Sequence, residues 1–245
     1  MSKQSSPRRV VYNVLISPFT YKDPDHIEDL LIQDLDNPRA RERGALSVPE
    51  FLDFQEQSTV FQEVIGCTGE TVIYTSNDGS EPFSVAWVTP NTFHFLGVNP
   101  VIGRPITPED GKPGAPPVAV LSYKFWSNRF GGEAGALGKT IVLNGNSYTI
   151  IGVMPPRFTW HDGDAWIPSP LDRSDPKAST TYRWFQARLK PGVSRLQATA
   201  ELKVIAERVA KSYPYIVEYF CGPGAVDGVR GSLQRDELRR LFEIA

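Results

Sequence analysis

Sulfur and imidazole are scarce in this chain of 245 residues, which has two cysteines, two methionines and three histidines. Each shortage closes off a chemistry. Cys67 and Cys221 lie too far apart to form the close ligand pair of a structural zinc site. A single disulfide between them, or two buried thiols, are the readings left open. His26, His94 and His161 are scattered, so a serine nucleophile would lack a base, and no G-x-S-x-G elbow occurs. Cys67 has no nearby basic residue to lower its thiol pKa. Surplus charge is missing too: 26 Lys and Arg stand against 28 Asp and Glu, a net −2, which gives no basic field for nucleic acid or an anionic membrane. No apolar run approaches the ~18 residues of a membrane span. The short apolar stretch at residues 10–16 is interrupted by Tyr12 and Asn13, is soon followed by Pro18, and lacks a small-residue cleavage site. The expectation is a soluble chain with no visible export signal.

What is present is ordinary globular material, 40% hydrophobic and 22% charged, long enough for one large or two small cores. Its best-patterned part is residues 116–155. Val118–Leu121 is short and apolar enough for a buried strand. Ser122 stands where a helix cap belongs, Phe125, Trp126 and Phe130 follow at helical spacing, and Gly131-Gly132 can stop that helix. Residues 140–143 and 147–153 read as strands joined by Asn144-Gly145, which supplies the positive φ angles of a tight hairpin. Strand, helix and hairpin form a compact α/β unit.

The flanks are also punctuated. Residues 21–26 read as a turn because of Asp23-Pro24. Ile27, Leu30, Leu31 and Ile32 cluster between acids, and residues 34–44 read as a loop. Ser47-Val48-Pro49-Glu50 is a capping box opening a helix with Phe51, Phe54, Val60 and Phe61 near one face and a break at Ser58. Residues 70–75 and 81–88 flank a glycine-bearing hairpin loop. Thr89-Pro90-Asn91 is expected to start a short helix with Thr89 as cap, stopped at Gly97. Residues 97–117 form a long connection, 165–168 one more short strand, and 169–182 a polar, mobile segment. Residues 183–189 alternate as a strand, Lys190-Pro191-Gly192 is a turn, and a long helix runs from about residue 193 to 212 with Leu196, Leu202, Ile205, Ala206 and Val209 as its apolar stripe. The aromatic side chains, including Phe93 and Phe95, read mostly as core.

Two stretches invite a functional reading. Gly132 to Thr140 has glycines and a Lys-Thr pair. However, five residues separate Gly132 from Gly138 where a phosphate loop needs four, and the order is helix then strand, the reverse of that motif. His161-Asp162-Gly163-Asp164 offers one imidazole and two carboxylates, yet Asp-Gly between two tryptophans reads equally as a hairpin tip. No catalytic, cofactor-binding or metal-ligating residue is assigned, and no cofactor is expected.

Five stretches in order carry a resemblance: residues 47–54; residues 88–93 with Leu96-Gly97-Val98; Gly103-Arg104-Pro105 with Glu109-Asp110; residues 116–156; and residues 187–193. Over roughly residues 10–230 the chain resembles the MacB-like periplasmic core domain of ABC-transporter permeases (the MacB/FtsX-type family), in particular the multi-copy permeases of soil bacteria.

That resemblance implies a mixed α+β fold with two subdomains. Residues 10–111 and 176–230 would make a porter-like βαβ body from both ends of the chain, residues 112–175 an inserted sabre-like α/β unit, and residues 231–245 a C-terminal amphipathic segment. It implies a non-enzymatic domain on the periplasmic side of the inner membrane, set between the first and second transmembrane helices and coupling conformational change to export. The partners would be those helices, the permease's ATPase domain, and a second permease copy or a periplasmic partner protein, with no nucleic acid. The flanking helices and ATP-binding motifs of the family are not in this sequence. Two other readings stand beside it: a free-standing ligand- or peptide-binding module with a cleft lined by Trp160, Trp166 and Trp184, and, behind it, a hydrolase using His161 with Asp162 and Asp164.

Overall fold

A computed structural model describes residues 21–34, 46–173, 181–212 and 217–223. A 3₁₀ turn, Pro24–His26, leads into strand β1 (Ile27–Asp34). Strand β2 (Leu46–Ser47) opens helix α1 (Val48–Gln57), whose start is the capping box. The Ser47 amide donates to Glu50 Oε2 at 2.8 Å, and the Glu50 amide donates to Ser47 Oγ at 3.4 Å. Strands β3 (Phe61–Ser76) and β4 (Gly79–Val88) form a long hairpin, followed by helix α2 (Thr92–Leu96) and strand β5 (Ile102–Gly103). The central unit is strand β6 (Val118–Leu121), helix α3 (Tyr123–Phe130), strand β7 (Thr140–Leu143) and strand β8 (Asn146–Val153). Strands β9 (Ala165–Pro168), β10 (Thr181–Tyr182) and β11 (Trp184–Leu189), helix α4 (Arg195–Ser212) and strand β12 (Val217–Pro223) complete the described chain.

The main sheet runs β12-β1-β11-β3-β4-β9-β6-β8-β5, and β7 joins β8 back to β3. Two pairings are parallel, β4 with β9 and β6 with β8. β3 is long enough to serve two neighbourhoods. At ~3.3 Å per residue its 16 residues span roughly 50 Å. Its first half, through Cys67, pairs with β11, while Tyr74 and Thr75 pair with β7. The strands β3, β4, β9, β6, β8 and β7 therefore close into a ring. Asn144 (φ 48°) and Gly145 (φ 79°) make the β7–β8 turn, as the sequence predicts.

Three apolar clusters fill this framework. The first packs α1 and α4 onto one sheet face through Phe51, Phe54, Phe185, Leu202 and Ile205. The second lies on the opposite face, around Ile65, Cys67, Phe93, Phe95, Trp160 and Trp166. The third draws Val72, Tyr74, Phe83 and Val85 from the hairpin and Ile141, Leu143, Ile150 and Ile167 from the central unit, with Phe125 and Trp126 of α3 against them. The expected aromatics are buried, except that Phe130 is only partly so.

Several local expectations are corrected. β3 begins at Phe61, so α1 ends at Gln57 and Phe61 belongs to the strand. Thr89 is not the cap of α2. Asn91 holds that position, while Thr89 Oγ1 accepts from the Gly66 amide at 3.2 Å. Leu196 is 81% exposed and lies off the buried stripe of α4, where Ala198 is buried instead. On β11, Gln186 and Arg188 are buried although they alternate with the apolar positions, because the second cluster covers that face.

Cys67 is a free, buried thiol. Cys221 pairs with Leu30, Leu30 with Phe185, and Phe185 with Gly66. Three strand spacings of ~4.8 Å give roughly 14 Å, about twice the largest Cα separation a disulfide spans. Residues 10–16, 35–45, 174–180 and 224–245 lie outside the described residues, and with them the expected first apolar stretch, most of the 34–44 loop, part of the polar 169–182 segment and the C-terminal amphipathic segment.

Candidate functional site

The most elaborated polar region is where the described chain begins and ends. β1 and β12 pair antiparallel along seven residues, from Glu28 opposite Pro223 to Asp34 opposite Val217. The start of β1 and the end of β12 are therefore neighbours at one end of the sheet. Just before β1, Tyr21 is buried in the second cluster and the Lys22 amide donates to Leu96 O at 3.0 Å. Asp23 takes a left-handed conformation (φ 43°), which its short polar side chain tolerates.

Arg188 of β11 fastens this approach. Nη1 donates to Asp23 O (2.8 Å) and Nη2 to Phe95 O (2.7 Å), and the guanidinium lies 4.8 Å from the Phe95 ring centroid. Burial lowers its pKa. Carbonyl dipoles and an aromatic face suit a planar cation in so dry a place. Beside it Gln186 Nε2 donates to Asp29 Oδ1 (3.0 Å) and Gln186 Oε1 accepts from Trp160 Nε1 (3.3 Å). On the other face of β1, Glu28 receives Arg195 from the first turn of α4. Ser194 and Gln197 cap that helix reciprocally, with the Ser194 amide donating to Gln197 Oε1 at 2.9 Å and the Gln197 amide to Ser194 Oγ at 3.3 Å. The sequence reading missed the box, although Ser194-Arg195-Leu196-Gln197 carries its signature.

The residues weighed for chemistry are dispersed. His161 sits between Trp160 and Trp184, with ring centroids 4.4 and 5.0 Å away, and has a positive φ of 53°. Burial lowers its pKa to about 4, so the ring is neutral near pH 7. The Asp164 backbone and carboxylate both bind Ser84: the Asp164 amide donates to Ser84 O, and Oδ2 accepts from the Ser84 amide at 3.0 Å. The side chain of Asp162 lies outside the described part. Among the described residues no group of three or more His, Cys, Asp or Glu is arranged to hold a metal.

His94 is exposed beside Glu63, and His26 is exposed in the turn before β1. Burial raises the Cys67 pKa, which keeps the thiol protonated. Trp160 and Trp166 are buried in the second cluster whereas Trp184 is 47% exposed, so the three do not share an open cleft wall. The Gly132–Thr140 stretch leads from α3 through a 3₁₀ turn (Ala134–Ala136) into β7 and opens no helix long enough to cradle phosphate.

A mixed α+β domain with its first and last described strands paired, a closed ring of strands and no assembled catalytic constellation among its described residues is the class these features define. The chain belongs to the MacB-like periplasmic core domain family of ABC-transporter permeases, whose profile matches residues 8–205. Three solved structures share the fold. The periplasmic region of MacB from Actinobacillus actinomycetemcomitans is 16% identical, with a TM-score of 0.60, covering 91% of this chain and 94% of its own. The extracellular domain of the noncanonic ABC-type transporter YknZ from Gram-positive bacteria is 14% identical, with a TM-score of 0.57, covering 79% and 99%. A domain assigned to a permease protein from Porphyromonas gingivalis is 17% identical, with a TM-score of 0.60, covering 91% and 99%. No curated protein matches the chain. Among the described residues no helix is long and apolar enough to cross a membrane.

Proposed function

We propose that this chain serves as the extracytoplasmic, non-enzymatic part of a MacB-type ABC-transporter permease and couples conformational change in the membrane to substrate export. The observation that carries the reading is the antiparallel pairing of β1 with β12, which brings the first and last described strands to one end of the sheet. A domain set between two consecutive membrane helices needs both connections to face the same bilayer, and adjacent antiparallel strands supply that. The partners in this reading are the flanking membrane helices and ATPase domain, with a second permease copy or a periplasmic protein meeting the domain.

The porter-like body is formed by residues 10–111 and 176–230, and the sabre-like insert by residues 112–175. The third core supports an insert that also takes in the far half of the β3–β4 hairpin, because Val72, Tyr74, Phe83 and Val85 pack there.

Cysteine labelling tests the location. In the permease carrying this chain, with Cys221 replaced, a cysteine at the exposed Val101 should react with a membrane-impermeant maleimide in intact cells, while the buried Cys67 stays silent. Reaction only after permeabilisation overturns the reading. Spin labels at exposed Val101 and Val204 then test coupling in proteoliposomes. The distance distribution should change between ADP and vanadate-trapped ATP, and an unchanged distribution overturns the coupling.

A further inference from the structure

We propose that Glu28 and Arg195 form an acid-releasable latch between β1 and the first turn of α4. Glu28 is 2% exposed, on the face of β1 that looks toward α4. Arg195 Nε donates to both of its carboxylate oxygens, at 2.7 and 2.6 Å. The two partners are unequal: the Arg195 side chain is 53% exposed. A released guanidinium has water to enter, while the carboxyl stays buried. Release need not unwind the helix, because the Ser194–Gln197 box satisfies its first turn independently.

Among the described residues, three charged groups act on Glu28. Arg195 approaches from α4, His26 from the 3₁₀ turn, and Asp29 is its neighbour on β1. Asp29 is engaged by Gln186, which itself holds the indole of Trp160. The cross-strand neighbours of Glu28, Ala187 of β11 and Pro223 of β12, do not titrate. Burial raises the Glu28 carboxyl above its ordinary 4.5 and outweighs the opposing pull of Arg195. A raised folded-state pKa means the folded chain holds this proton more tightly than the unfolded one. Stability from this group is complete below about pH 4.5 and is lost as pH rises through the folded value. Protonation of Glu28 thus removes the ion pair while this group favours the folded domain, which makes the contact a switch instead of a weak point.

The inference holds whether or not the chain serves a permease, and the chain alone is the material for the test. Heteronuclear NMR from pH 7.5 to 4.5 follows the Glu28 carboxyl carbon, the Arg195 Nε–H and the Ala198 amide, which bonds Ser194 O in the first turn. Glu28 should titrate above 4.5. Over the same midpoint, Arg195 Nε–H exchange, corrected for its intrinsic pH dependence, should accelerate as the hydrogen bond to the carboxylate is lost. In Glu28→Gln the transition should vanish. Arg195→Gln leaves the carboxyl in place and should move its midpoint upward, which keeps the proposal testable if the first variant fails to fold. An Arg195 signal indifferent to the Glu28 titration, a transition surviving in Glu28→Gln, or an unmoved midpoint in Arg195→Gln overturns the latch.

Discussion

Gly103 and Gly138 share almost the same backbone conformation, φ 76° and 78°, yet an added Cβ would meet different surroundings. At Gly138 it would meet nothing within 4 Å. At Gly103 it would fall 2.2 Å from Ile151 O and 2.9 Å from both Gly152 Cα and Leu137 Cδ2. The pair separates the cost of a left-handed residue from the cost of close backbone approach. Gly138→Ala should lose ~1–2 kcal/mol to the disfavoured φ, reduced by ~0.4–1 kcal/mol from the stiffer unfolded chain, a net of about 1 kcal/mol.

Gly103→Ala carries the same balance plus ~1–3 kcal/mol of overpacking, since a carbonyl and a Cα cannot swing aside as a side-chain tip can. At ~2–4 °C per kcal/mol for a domain of this size, Tm should fall by roughly 2–4 °C in the first variant and by roughly 4–16 °C in the second. Thermal unfolding followed by circular dichroism at matched concentration reads both. Equal losses would refute the reasoning, because they would mean β5 withdraws from β8 without cost and its place in the sheet is not held by that contact.

Three other outcomes follow from the geometry. Ser47→Ala removes the cap of α1 and should cost about 1 kcal/mol in urea unfolding at an unchanged m-value; a loss below a few tenths would count against the capping box. Glu201 receives Ser58 Oγ–H, the Thr59 amide and hydroxyl, and the Val60 amide; burial tends to raise its pKa, but these bonds leave it lowered. Its stabilisation is therefore present above the ordinary 4.5 and lost as pH falls through the lower folded value, and Glu201→Gln should flatten the stability profile there. The His161 ring resonances should stay those of neutral imidazole from pH 7 down to near 4, with the associated stability lost between 6.5 and about 4; a titration near 6.5 would contradict its packing between Trp160 and Trp184.

Local chemistry was what the sequence disclosed best. Ser47 with Glu50, Ser122 before α3 and Asn144-Gly145 each act within a few residues, and each stands where the pattern places it. Arg104 and Asp110, two residues of a motif that carried the family resemblance, are six positions apart and make a two-pronged ion pair at 2.7 and 2.8 Å. The misses are matters of tertiary context. The first half of β3, from Phe61 to Gly69, is buried irregularly because it has a core on each face, so it shows no period-two signal. Gln186 and Arg188 look like a solvated strand face until the second cluster covers them. Leu196 fits the spacing of an apolar stripe, but α4 turns that position to water. The junction of Glu28 with Arg195 spans 167 residues, which no local pattern encodes.

The pairing of β1 sets an order in time as well as in space. Ile27–Asp34 is among the first parts of the described chain to be synthesised, but its two neighbours are Trp184–Leu189 and Val217–Pro223. The pairings that close the ring of strands between Phe61 and Pro168 are all available once residue 168 has emerged, and of that ring only the β3 edge toward β11 still waits for a partner. During synthesis, then, β1 waits with both edges open while the middle of the domain closes. A chaperone shielding this domain as it is made would have β1 as its principal charge.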